Sequence, residues 1–214
     1  MIAGSRLFAL LRDRRGGGAV EFAMVIPLML ILIFGIIDAG RVLWEWNRAE
    51  KATQMGARYA IVTDVIPSAI VTNDYVGDPY CKDVNGVAQN CTPGDSVNDV
   101  NALGKLTCTS TGCTCATGGN CPSATIGTTA FSNLVTRMSA MKPDITAANV
   151  RVVFRGSGIG FAGDPNGMQV VPLVTVELTG LDFRPILLFN SVALNLPSFA
   201  TTLSAESSLG TQSN

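Results

Sequence analysis

The chain has 214 residues, 47% of them apolar and 14% charged, with a formal net charge of −1. Soluble domains carry about 25% charged residues, so a membrane segment or extensive partner contacts are expected, and the near-zero net charge gives no basis for a nucleic-acid partner. Histidine is absent. That excludes Ser-His-Asp and Cys-His nucleophile pairs, histidine-ligated metals and the usual near-neutral proton shuttle, so the reading is non-enzymatic, without a cofactor.

Residues 1–16 form a basic leader, with Arg6, Arg12, Arg14 and Arg15 against Asp13. From Phe22 to Ile37 the chain carries no charge, and the stretch from Ala19 to Gly40 is interrupted only by Glu21 and Asp38. As a helix this stretch spans about 33 Å, enough for the roughly 30 Å hydrocarbon core of a bilayer. The arginines before it are expected to stay cytoplasmic and the C-terminal bulk to be exported. A cleavable secretory signal has a short apolar stretch followed by small residues. Here the small residues Gly16, Gly17, Gly18 and Ala19 come first, while Trp44 and Trp46 follow the run as interface anchors. A cut among those glycines removes the leader and keeps the anchor.

Glu21 has two readings. It sits at headgroup level at little cost, or it pairs with a cation. If the chain is cut after Gly16, the new α-amine is on Gly17 and Glu21 lies one helical turn away, able to neutralise that amine or a neighbouring subunit's. Arg14-Arg15-Gly16, Ala19-Val20-Glu21-Phe22-Ala23 and Pro27 within the apolar run resemble the start of TadE-like pseudopilins of the tight-adherence, or Flp, branch of type IV pilus systems. That resemblance implies processing by a prepilin peptidase between Gly16 and Gly17, with Glu21 and Phe22 at the fifth and sixth positions after the cut. It implies as partners other minor pilins, the major pilin of a Flp-type pilus and an inner-membrane assembly platform. The expected location is the bacterial inner membrane, single-pass, with the domain periplasmic or carried into an extracellular pilus. Leu203-Ser204-Ala205-Glu206 resembles the family's C-terminal finish. The rival reading is a signal-anchored envelope protein whose disulfide-rich domain binds a ligand or surface.

Three regions follow from this: leader 1–16, helix 17–66 and an exported domain 67–214. Within the helix, about 19–40 is transmembrane and about 44–64 amphipathic, on a stripe of Ala52, Met55, Tyr59, Val62 and Ile66. Pro27 removes one backbone hydrogen bond and is expected to kink or loosen the helix; Pro67 ends the pattern.

Residues 72–123 read as an irregular cysteine-rich insertion. Cys81, Cys91, Cys108, Cys113, Cys115 and Cys121 are disulfide candidates in an oxidising compartment. Their spacing departs from zinc-site patterns. Adjacency disfavours pairing Cys113 with Cys115, Cys81 and Cys91 fit a local loop, and the remaining connectivity stays open.

Further on, a helix is expected over 128–141, stopped by Pro143, and strands from Val150, over 170–181 and over 192–204 with a break at Pro197. Residues 156–166 read as a glycine-rich loop, with a turn at Asp164-Pro165-Asn166-Gly167. The fold class is α+β: a long N-terminal helix packed on a small antiparallel sheet of three or four strands, with a disulfide-bearing loop region.

Overall fold

The computed structural model describes residues 17–122, 125–165, 167–185 and 193–205. The leader with Gly16, the ends of the insertion and tail at Ser123 and Glu206, Asn166 of the expected turn, and Val192 lie outside those residues. Two compact units are present. One holds residues up to Trp44 together with Phe183–Leu194, the other Glu45–Asp182 and the residues from Asn195.

Helix α1 runs from Gly17 to Val62, 46 residues, about 69 Å at 1.5 Å per residue. The helix continues through Pro27. In the first unit its apolar side chains stay exposed, Met24 at 75% and Leu28 at 72%. Where that run ends, the charges are paired. The Arg41 guanidinium lies 3.3 Å from the Asp38 carboxylate and 5.3 Å from the centroid of the Phe183 ring, a cation–π contact that keeps the cation engaged on two sides.

In the second unit the buried face of α1 is built from small residues, and this corrects the expected stripe. Ala49, Ala52, Thr53, Ala57 and Ala60 are buried, Met55 and Tyr59 are half-buried, and Val62 is exposed. Ile66 is buried but lies past the helix end. The cause is close approach. A Cβ built on Gly56 meets Met138 Sδ at 2.8 Å and Val176 Cγ1 at 3.2 Å, so only the smallest side chains fit between helix and body. Gly56→Val is expected to overpack this contact and destabilise the domain by about 2 kcal/mol. A urea midpoint equal to that of the parent protein would contradict the close-approach argument.

The main sheet has five antiparallel strands, β3 (Leu106–Thr109), β4 (Gly112–Cys115), β5 (Val150–Gly160), β6 (Val170–Leu178) and β9 (Phe199–Ser204), in the order β4-β3-β5-β6-β9. Its core face carries Leu106, Cys108, Val150, Val152, Phe154, Val174, Val176 and Leu178. Helix α3 (Thr128–Ser139) contributes Phe131, Leu134 and Met138 at the 3,4 spacing of a buried helix face. A one-turn helix α2 (Ala69–Thr72) follows Pro67. Two-stranded ladders pair β1 (Cys81–Lys82) with β2 (Ala88–Gln89), and β7 (Asp182–Phe183) with β8 (Leu194–Asn195).

Two sequence expectations are corrected here. Part of the insertion is regular: Leu106 and Cys108 are fully buried and alternate with half-buried Thr107 and Thr109, so β3 and β4 raise the sheet to five strands. The glycine-rich stretch is not all loop, because β5 continues to Gly160 across a register shift between Gly156 and Gly160. Its glycines admit the 3₁₀ turn Val100–Ala102 against the strand: a Cβ on Gly156 would run into the Val100 carbonyl, and Gly158 has φ +76°.

Candidate functional site

The apolar half of α1 is the candidate site. Gly17 is the first residue of the helix and Glu21 follows one turn later on the same face. Residues in that relation have Cβ atoms about 5–6 Å apart. Glu21 is exposed, with no cationic partner among the described residues, and Phe22 is 67% exposed. A Cβ on Gly17 or Gly18 meets nothing within 4 Å. Glycine in a helix costs about 1 kcal/mol relative to alanine, and packing among the described residues gives no reason for two of them. α1 is the one helix among the described residues long and apolar enough to cross a membrane.

The helix enters the second unit through a charge network. Lys142, just after α3, is only 2% exposed. Its ammonium donates to the Glu45 carboxylate on α1 and, at 2.7 Å, to Asp144. Arg48 lies 3.7 Å from Glu45, and its Nε donates to the Met141 carbonyl at 2.9 Å. Nearby, Trp46 packs edge-on against Phe199 at 5.1 Å, and the Thr53 and Thr201 hydroxyls meet at 3.1 Å. Sequence reasoning missed this network, because lysine ordinarily faces solvent.

All six cysteines are paired: Cys81 with Cys91, Cys108 with Cys113, and Cys115 with Cys121. Every bridge is local, spanning 10, 5 and 6 residues. Cys108 and Cys113 face each other across the β3–β4 hairpin. No cluster of metal-ligating side chains occurs among the described residues.

The loops of the insertion are held by aspartates that accept backbone N–H groups. The Val76 N–H holds the Asp74 carboxyl below its ordinary value, as the Val87, Thr92 and Asn101 N–H groups do for Asp83, Asp95 and Asp99. A carboxylate with a depressed folded pKa contributes stability that is fully present above its unfolded value, here 3.8, and is lost as pH falls through the folded value. Urea midpoints are therefore expected to stay level from pH 7 to about 5 and to drop below about 4. A level profile down to pH 2.5 would contradict the role of these caps. Burial pushes the Tyr75 hydroxyl up to about 12, against a smaller opposing effect of Asn73, so it stays neutral throughout.

Comparison with known families decides how the N-terminal segment is read: the TadE-like protein family matches residues 16–58. This segment is TadE-like. The match covers about a fifth of the chain and starts at Gly16. The TadE-like segment contains the exposed apolar run, Glu21 and Phe22, and the small-residue face through Ala57 that is buried within the second unit. No curated protein and no solved structure matches the chain.

Proposed function

We propose that this chain is a non-enzymatic minor pilin or pseudopilin of a Flp-type, tight-adherence pilus. The match of residues 16–58 connects it with that pilus system, and its components are the expected partners. A prepilin peptidase cuts between Gly16 and Gly17. The helix then stays in the inner membrane with the second unit in the periplasm, or enters a filament.

The observation that carries this reading is the register of Gly17 and Glu21 at the start of an exposed apolar helix. A freed α-amine is cationic near neutral pH. It would sit at the positive end of the helix dipole, where a cation is unfavourable. A carboxylate one turn away relieves that cost within one subunit, or between subunits supplies both attraction and axial register. The exposed apolar side chains, which the chain itself does not cover, are then covered by lipid or by neighbouring helices.

Glu21→Ala tests this in cells lacking the native copy. The variant is expected to be processed and membrane-bound, yet to restore pilus formation at least about tenfold less well, the equivalent of roughly 1.4 kcal/mol of lost pairing. Full restoration by Glu21→Ala would sink the assembly role of this carboxylate.

A further inference from the structure

The main sheet has a second face. Leu106, Val152, Phe154, Val174 and Val176 point into the core, so Thr107, Val153 and Thr175, the alternate residues, point the other way. The register aligns Thr114, Thr107, Val153, Thr175 and Thr202 in one row across all five strands. Val153 is 3% exposed and stands outside the core cluster, whereas Thr114 and Thr202 at the edges of the row are exposed. The exposed charges around the row are cationic. Arg151 and Arg155 are exposed on β5, and Lys105 is exposed just before β3. Glu177 lies 3.7 Å from Arg151; Lys105 and Arg155 have no carboxylate partner among the described residues.

The opposite charge lies elsewhere in the same unit. Residues 72–104 hold five aspartates and one lysine, Lys82, which pairs with Asp99 at 3.3 Å. Asp78, Asp83 and Asp95 have no cationic partner among the described residues. The loop is ordered in advance by the Cys81–Cys91 bridge and by turns that Asp83 and Asp95 close through backbone N–H groups. Docking it therefore costs little conformational entropy.

We propose that the open sheet face is a docking surface for the acidic loop of a second copy of this chain. A basic patch on one copy meets the loop of the next, which makes a heterologous, head-to-tail contact able to repeat. The exposed Thr114 and Thr202 methyls supply the apolar contact, and Lys105 and Arg155 the charged rim. An anchored helix confines copies to one surface and raises their effective concentration. The contact concerns the second unit alone and does not depend on peptidase processing.

The test uses full-length protein in lipid nanodiscs, mixed in equal parts from isotopically light and heavy preparations. A carbodiimide adds to a carboxylate as an O-acylisourea, which the unprotonated amine of a lysine then attacks, forming an amide and releasing the reagent as its urea. The expected result is mixed-isotope peptides joining Lys105 to Asp78, Asp83 or Asp95. Their yield is expected to fall about tenfold in the Arg151→Glu/Arg155→Glu variant. It is also expected to fall when salt is raised from about 0.1 to 1 M, which shortens the screening length from about 10 to 3 Å. Intact mass and circular dichroism check that the variant keeps its three bridges and its fold. Arg155→Gln, a milder surface change, is expected to give a smaller fall in the same direction. Links from Lys105 confined to single copies, or mixed links unchanged in a folded variant and at high salt, overturn the proposal.

Discussion

Replacing Lys142 with methionine is expected to destabilise the second unit by about 3 kcal/mol, because it strands a largely buried carboxylate. Lys142 is 2% exposed and Glu45 20% by side chain, whereas Asp144 is 56% exposed and rehydrates without cost. Arg48, at 3.7 Å, compensates Glu45 only in part. Adding Glu45→Met to Lys142→Met removes the stranded charge and is expected to recover most of the loss, since apolar replacement of a whole buried pair is often close to neutral. Urea unfolding of the three variants measures both effects. A loss below about 1 kcal/mol for Lys142→Met alone would mean that water reaches Glu45 and that the network is a surface feature.

Removing the Cys81–Cys91 bridge should have an effect of similar size by a different route. Both cysteines are buried, at 1% and 2% exposure, and the bridge closes a loop of 10 residues separation. Restricting a loop of that length in the unfolded chain stabilises by about 3 kcal/mol. The Cys81→Ser/Cys91→Ser variant loses that term and buries two hydroxyls in an apolar site. Its urea midpoint is expected to fall, with faster hydrogen exchange over residues 77–99 than over β5 and β6. A loss confined to exchange in the loop, with an unchanged midpoint, would show that the bridge orders the loop without supporting the domain.

Much of the fold is legible in the sequence for physical reasons that differ along the chain. A continuous apolar run bounded by charges dictates a long helix, and α1 follows it. Alternation of Val150, Val152 and Phe154 with Arg151 and Arg155 marks β5. The helix face was harder to read, because a stripe drawn through large side chains assumes that the largest residues face inward. Where a helix lies against a sheet at the distance set by Gly56, alanine is selected instead. The insertion was harder still. Leu106-Thr107-Cys108-Thr109 does alternate, but its inward residues are few and its polar ones are the turn formers of the surrounding loops. The Cys81–Cys91 loop was offered by the spacing, but the pairing of the other cysteines lay beyond sequence, since 15 connectivities satisfy the same six positions. Lys142 carries no local signal, because its partner Glu45 is 97 residues away.

At the candidate site, the sequence placed Gly17, Glu21 and Phe22 on one helix, and the structure adds what composition does not contain: a Cβ on either glycine there would meet open space among the described residues.

N-terminal sequencing of the membrane-bound protein from cells that contain a prepilin peptidase tests this reading of the chain. The expected first residue is Gly17, with the apolar helix retained. A protein that still begins with its leader, or one that begins at Arg41 after loss of the helix, would contradict it.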